Sequence, residues 1–210
     1  MTGPAAKGRV RKATPPTPTG RVLLGRQDRR RAVIEGARHA FARNGFAATV
    51  LDEVAAEAGI SKVILYRHFD SKASLYQAVL DDVAERLTEA VRAPSGLGAG
   101  SLSALAAFAA DDPDGFRLLF IHAAHEPEFQ SYAVELSTEA IAISDDHLRD
   151  RIPDEGLRRW ASRLMPALAI EVIESWLDSG RPGTPETAAD AARTMLHTMT
   201  AVISKSAGPT

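Results

Sequence analysis

The sequence predicts an all-α fold, and three observations carry the prediction. Apolar residues recur at three- and four-residue intervals along nearly every stretch after Arg26, which is the repeat of one helix face. No convincing run of residues reads as a strand. Proline, glycine and short polar residues fall between the periodic stretches, where helices start and stop. The pattern divides into an arm over residues 1–25, a three-helix unit with a helix-turn-helix over 26–72, and a helical body over 73–206.

Composition narrows the function classes. The 210 residues are 45% hydrophobic, enough to bury a core, and contain no cysteine. Disulfides, thiolate metal sites and cysteine nucleophiles are therefore excluded. The net charge of −2 conceals an asymmetry: residues 1–31 hold nine Lys/Arg against the single acid Asp28. The rest of the chain carries 16 basic and 26 acidic side chains, a balance of −10. A basic start on an acidic body suits an anionic polymer at one end of the molecule. The Val22-Leu23-Leu24 cluster is too short for a signal peptide. Ala93 to Ala110 is uncharged, but its Pro, Ser and Gly make it a poor membrane span. A cytoplasmic, nucleoid-associated protein with no membrane partner is the expectation.

Residues 1–25 have little to bury and read as a disordered basic arm, either a DNA contact or a solvated tail. A first helix over about Gln27–Asn44 carries Val33, Ala37, Ala40 and Phe41 on its apolar face, and Gly45 stops it. Thr49 and Asp52 have the spacing of a capping box at the next helix. Leu51, Val54, Ala55 and Ala58 form that helix's apolar stripe, and Gly59 makes the turn. Ser61 is the N-cap of a short third helix. Within it Leu65, together with the following Phe69, points to the core, leaving Lys62, Val63, Tyr66 and Arg67 on the opposite face. Such a second helix can enter a DNA major groove.

The stretch AGISKVILYRHFDSKASL resembles the DNA-binding signature of TetR-type transcriptional regulators, through Ala58, Gly59, Ser61, Leu65, Tyr66, Phe69, Lys72 and Leu75. The resemblance spans roughly residues 28–76. It implies a dimeric DNA-binding regulator whose helical body binds a ligand and dimerises, with repression as the family's usual action. It also implies phosphate contacts by Tyr66 and Lys72. The expected DNA-binding set is Thr49, Ser61, Lys62, Val63, Tyr66, Arg67 and Lys72. Val50, Val63 and Ile64 depart from the family's commoner residues, and Val63 could meet a thymine methyl.

The body continues helix by helix. A fourth starts at Ser71 or Lys72 and repeats Leu75, Val79, Val83 and Leu87 to about Arg92. Pro94–Gly100 is a linker; its G-x-G-x-G spacing lacks the preceding strand of a dinucleotide site. Ser101–Ala110 is a small-residue helix, and Pro113 opens another that Pro127 closes. A long helix follows from Pro127 to about Asp150. The next, from Pro153-Asp154 to about Ser179, should kink or break at Pro166. Thr184-Pro185 starts the last helix.

A palindromic operator demands a two-fold dimer. Leu164, Leu168, Val172 and Trp176 of one helix and Met195 and Met199 of the last are the expected homodimer interface; intramolecular core accounts for the same stripes. Phe116, Phe120, His122, Phe129, Tyr132, Trp160 and Met165 could line a pocket for a small apolar or amphipathic effector; core packing explains each of them individually. His122, His125, Glu126 and Glu128 gather metal-type side chains, but Pro127 interrupts their spacing, so no metal and no cofactor is expected. No phosphate loop, nucleophile elbow or HExxH pattern is present, and no enzyme activity is expected. The competing reading is a helical adaptor or architectural protein with weak or non-specific DNA binding.

Overall fold

The structure is a computed structural model that describes residues 26–91 and 99–206. The basic arm over 1–25 and most of the Pro94–Gly100 linker lie outside the described residues.

Every element among the described residues is helical. α1 (Arg26–Ala48) buries Val33, Ile34, Ala37, Ala40 and Phe41, and its run breaks at Gly45 (φ 73°, ψ 169°). α2 (Leu51–Glu57) and α3 (Lys62–His68) complete the N-terminal unit. α4 (Lys72–Val91) is the long strut on which that unit rests; it buries Leu75, Tyr76, Val79, Leu80, Val83 and Leu87. α5 (Ala99–Asp111) packs on α4 and on the last helix. α6 (Pro113–Arg117), a π-helical turn (Leu118–His122) and α7 (Ala123–His125) then form an uneven helical run against α1 and α4. α8 (Gln130–Leu148), α9 (Glu155–Asp178) and α10 (Pro185–Ser206) build the rest, with α9 packed against both others.

A single hydrophobic cluster runs from Val33 of α1 through α4 and α6 to Ala188 and Ala189 of α10. The N-terminal unit therefore shares its core with the body. Inside it the rings of Phe41, Phe46, Tyr76 and Phe129 meet edge-on or tilted at 4.6–5.1 Å, with Phe41 and Phe46 stacked at 6.2 Å. A smaller cluster of Leu148, Ile152, Ala161 and Ile203 closes the far end. Among the described residues no helix is long and apolar enough to cross a membrane.

Three local expectations differ from the structure. The helix opened by Pro113 is not uniform: its middle turn widens to π geometry before Glu126 ends it. The long helix starts at Gln130 rather than Pro127, since residues 127–129 form a turn with the Phe129 N–H bonded to the Glu126 carbonyl. Of the kink or break expected at Pro166, the break is absent: α9 runs continuously through it, and the proline forgoes one backbone hydrogen bond without ending the helix.

Candidate functional site

The turn between α2 and α3 decides what the N-terminal unit presents. Gly59 adopts φ 64°, a left-handed conformation costly for other residues. The Ile60 N–H returns to the Ala55 carbonyl at 3.0 Å, and the Ser61 side chain then accepts from the Ile64 N–H at 3.4 Å as the N-cap of α3. A second closeness sets the angle of α1 against α2. A Cβ added at Gly36 would stand 2.8 Å from the Ala58 backbone nitrogen, so only glycine permits this approach.

With Leu65 and Phe69 buried, α3 turns Lys62, Val63, Tyr66 and Arg67 outward. Val63 is 64% and Tyr66 47% exposed, and Val50 at the head of α2 is similarly open. Apolar surface beside cations is what a groove carrying thymine methyls and phosphates can use. Lys62 is bound to Asp52 of α2 at 2.8 Å, and the carboxylate raises its pKa.

Two residues of the expected DNA-binding set sit differently. Thr49 is buried, and its hydroxyl donates inward to the carbonyls of Gly45 (2.7 Å) and Ala40 (3.2 Å). Its oxygen thus ties the end of α1 to the start of α2 and does not face outward. The capping box with Asp52 is absent: Val50 holds the cap position of α2, with no side-chain hydrogen bond. Lys72 donates to the carbonyls of Ala47 (3.0 Å) and Thr49 (3.2 Å), with its ammonium 4.7 Å from the centre of the Phe46 ring. It pins the first turn of α4 to the same junction.

The body contains a cavity of about 530 Å³ between α4, α5, α8, α9 and α10. Leu87, Leu102, Leu105, Leu136, Ile143 and Ile170 dominate its wall, with Phe120 of the π-turn and Met165 and Pro166 of α9. This volume lies in the range of small-molecule sites. Of the seven side chains expected in a pocket, Phe120 and Met165 line this cavity and the other five stand elsewhere. Phe116 is buried and tilted against Phe120 at 4.9 Å between ring centres. Phe129 belongs to the aromatic core, and the Tyr132 hydroxyl donates to Asp81 on α4 at 2.6 Å. Trp160 is 53% exposed on α9. His122 is half-buried, and burial together with nearby Arg117 lowers its pKa. The His125 Nδ1–H donates to the Ile121 carbonyl of its own helix at 2.6 Å.

Of the expected interface side chains, Leu164, Leu168 and Met199 border a shallow apolar groove between α9 and α10. Val172 is half-buried on the same helix and Met195 is half exposed. Trp176 is buried instead, its indole N–H donating to the Pro182 carbonyl at 3.0 Å, so it belongs to the core.

Sequence reasoning missed the junction between the two halves. Asp112 is buried at the head of α6, where its carboxylate accepts from the Gly115 N–H at 2.9 Å. It also accepts from Arg86 of α4 at 2.6 Å and from Arg38 of α1. Two residues on, in the first turn of α6, Asp114 lies 2.6 Å from His39 of α1. The Asp112-Pro113 pair signals a helix start, but nothing in the sequence names its distant partners.

Comparison with known proteins agrees with this geometry. Residues 33–79, which hold the turn and α3, match the family profile of bacterial regulatory proteins of the tetR family. The chain is 32% identical to the HTH-type transcriptional activator FasR of Mycolicibacterium smegmatis over 171 residues, 76% of this chain and 77% of that one. It is 28% identical to the HTH-type transcriptional repressor Rv1474c of Mycobacterium tuberculosis over 156 residues, 71% of this chain and 76% of the relative. In structure it is similar to a TetR-like transcriptional regulator from Rhodococcus sp. RHA1, with a TM-score of 0.70 over 82% of this chain and 96% of that one at 20% identity.

Proposed function

We propose, for a chain that belongs to the tetR family of bacterial regulatory proteins, a repressor that binds a palindromic operator as a homodimer and is released by a small molecule. Membership makes it a DNA-binding transcription regulator of the helix-turn-helix type. The observation that carries the rest is the outward face of α3, where Lys62, Val63, Tyr66 and Arg67 stand exposed over a buried Leu65 and Phe69. Val63 meets base edges, Arg67 a base or a phosphate, and Lys62 and Tyr66 the backbone. Lys72 spends two of its three donors on protein carbonyls and keeps one for a phosphate beside the first turn of α4.

Two reading heads need a two-fold body. The exposed apolar side chains Trp160, Met195 and Val202, with Leu164, Leu168 and Met199 beside them, support a dimer face on α9 and α10. The effector occupies the cavity and favours the arrangement that does not fit DNA, which is the only way a ligand can shift the equilibrium. Its route to α1 runs through Phe120, the π-turn and the Asp112 junction.

Selection of bound sequences from random duplexes, followed by footprinting, tests the reading. The expected result is a palindrome with half-sites about one turn of DNA, or a multiple, apart. Recovery of unrelated sequences with no symmetry would defeat it. One observation favours a second reading: the relative FasR, similar over 76% of this chain, is named an activator. Transcription in vitro from the selected site separates the two, since added protein lowers output for a repressor and raises it for an activator.

A further inference from the structure

We infer that the effector is an amphipathic anion, with its apolar tail among the aliphatic side chains of the cavity and its negative head at Arg151 and His147. The inference rests on the cavity being the effector site.

The wall itself offers little to a polar ligand. The hydroxyls of Thr88, Ser144 and Thr200 line the cavity, but each donates to a carbonyl four residues back on its own helix, at 2.8 Å. An anionic group placed deep among Leu87, Leu105, Leu136 and Ile170 would lose its water where these three hydroxyl protons are already committed. The polar end of a ligand therefore belongs at the rim.

Charge at the rim is unevenly placed. Arg151 and His147 lie together just past and at the end of α8, and His197 and Arg193 approach from α10. Arg193 already pairs with Asp190 and Glu186. Arg151 is exposed, and its guanidinium has no ion pair among the described residues. Its backbone is nonetheless held. The Arg151 carbonyl accepts from Ser204 of α10 at 2.8 Å, and Ile152 is fully buried. Arg158 donates to the Ile152 and Pro153 carbonyls at 3.3 and 3.2 Å. An exposed guanidinium free of an ion pair, on an anchored backbone at the cavity lining, can turn to a carboxylate or phosphate. The one carboxylate in the lining, Glu139, stands eight residues before His147, about 12 Å away along α8 at 1.5 Å per residue. It therefore leaves the head position cationic while disfavouring an anion at the opposite end.

The test uses the full chain and three probes with the same ten-carbon tail: decanoate, decanol and decyltrimethylammonium. Each competes with the neutral dye N-phenyl-naphthylamine, read by fluorescence. Decanoate should bind about tenfold or more tightly than decyltrimethylammonium, the margin of a charge-assisted hydrogen bond. Arg151→Gln should remove that margin while leaving decanol unchanged, and Arg151→Lys should restore part of it. Equal binding of decanoate and decyltrimethylammonium, or an Arg151→Gln variant with undiminished preference for decanoate, would overturn the anionic head but keep the cavity. Failure of all three probes to displace the dye would overturn the cavity reading, and the inference with it.

Discussion

Arg38 of α1 and Arg86 of α4 donate to the same carboxylate oxygen of Asp112. One buried acid thus joins the helix that carries the DNA-reading unit, the strut beneath it and the head of α6. Removing one partner of such a buried group leaves the others desolvated and unpaired. Asp112→Asn should lower stability by about 3 kcal/mol or more. Urea unfolding measures it, and a loss below about 1 kcal/mol would mean that the junction is well solvated.

Asp52 holds Lys62 at 2.8 Å on an exposed surface, so a phosphate must compete for that ammonium. Asp52→Asn removes the competitor and one negative charge from the DNA side. Affinity for random DNA should rise, and the slope of log affinity against log salt should steepen by up to about one unit. Salt titration by fluorescence anisotropy is the measurement; an unchanged slope would place Lys62 away from phosphate.

Variants at Arg67 and Thr49 test the proposed division between DNA reading and architecture. Arg67→Ala should cost about 1–3 kcal/mol of discrimination if the guanidinium reads a guanine. Equal weakening on operator and random DNA would reassign it to phosphate. Thr49→Val, which removes a hydroxyl bonded to two carbonyls, should instead cost about 1–2 kcal/mol of stability. The folded variant should keep wild-type operator affinity, and a drop at temperatures well below its melting point would restore Thr49 to the interface.

His122 gives a pH signature. Burial and the neighbouring Arg117 and His125 hold its pKa below the usual histidine value, with Glu126 opposing them. The unfolded chain therefore binds more protons than the native protein between that lowered value and about 6.5. Stability contributed by the neutral ring is present above about pH 6.5 and is lost as pH falls toward the native value. His122→Gln should reduce the difference between urea midpoints measured at about pH 7.5 and about pH 5.5. An unchanged difference would show that other groups carry the acid sensitivity.

The outward face of α3 was legible because it is local. Gly59, Ser61, Leu65 and Phe69 lie within eleven residues, and helix period and cap chemistry suffice to say which way each points. The Asp112 junction was not legible, because Arg38 and Asp112 are 74 residues apart and only packing brings them together. Thr49 misled for a related reason. A hydroxyl at a helix start suits a cap, yet here the kink at Gly45 aims the Ala40 and Gly45 carbonyls at it. The pocket expectation followed the aromatic residues, yet Phe116 and Phe129 fill the core, Trp160 stands exposed, and only Phe120 of the rings reaches the cavity. Large rings have the most surface to bury and meet one another edge-on, as Phe41, Phe46, Tyr76 and Phe129 do. The cavity is left to aliphatic side chains on five helices, a grouping without a sequence period.

Gly36 has a consequence for how this protein would look to genetics. It touches no nucleic acid in the proposed arrangement, yet any side chain there collides with the backbone of Ala58 at the close of α2. Colonies selected for loss of regulation should therefore yield changes at Gly36 alongside those at Arg67. A tolerance map would score the two positions alike, although one fails by spoiling the angle of a helix pair and the other by losing a contact. Heat resistance of the purified variants, rather than the severity of the phenotype, is what would tell them apart.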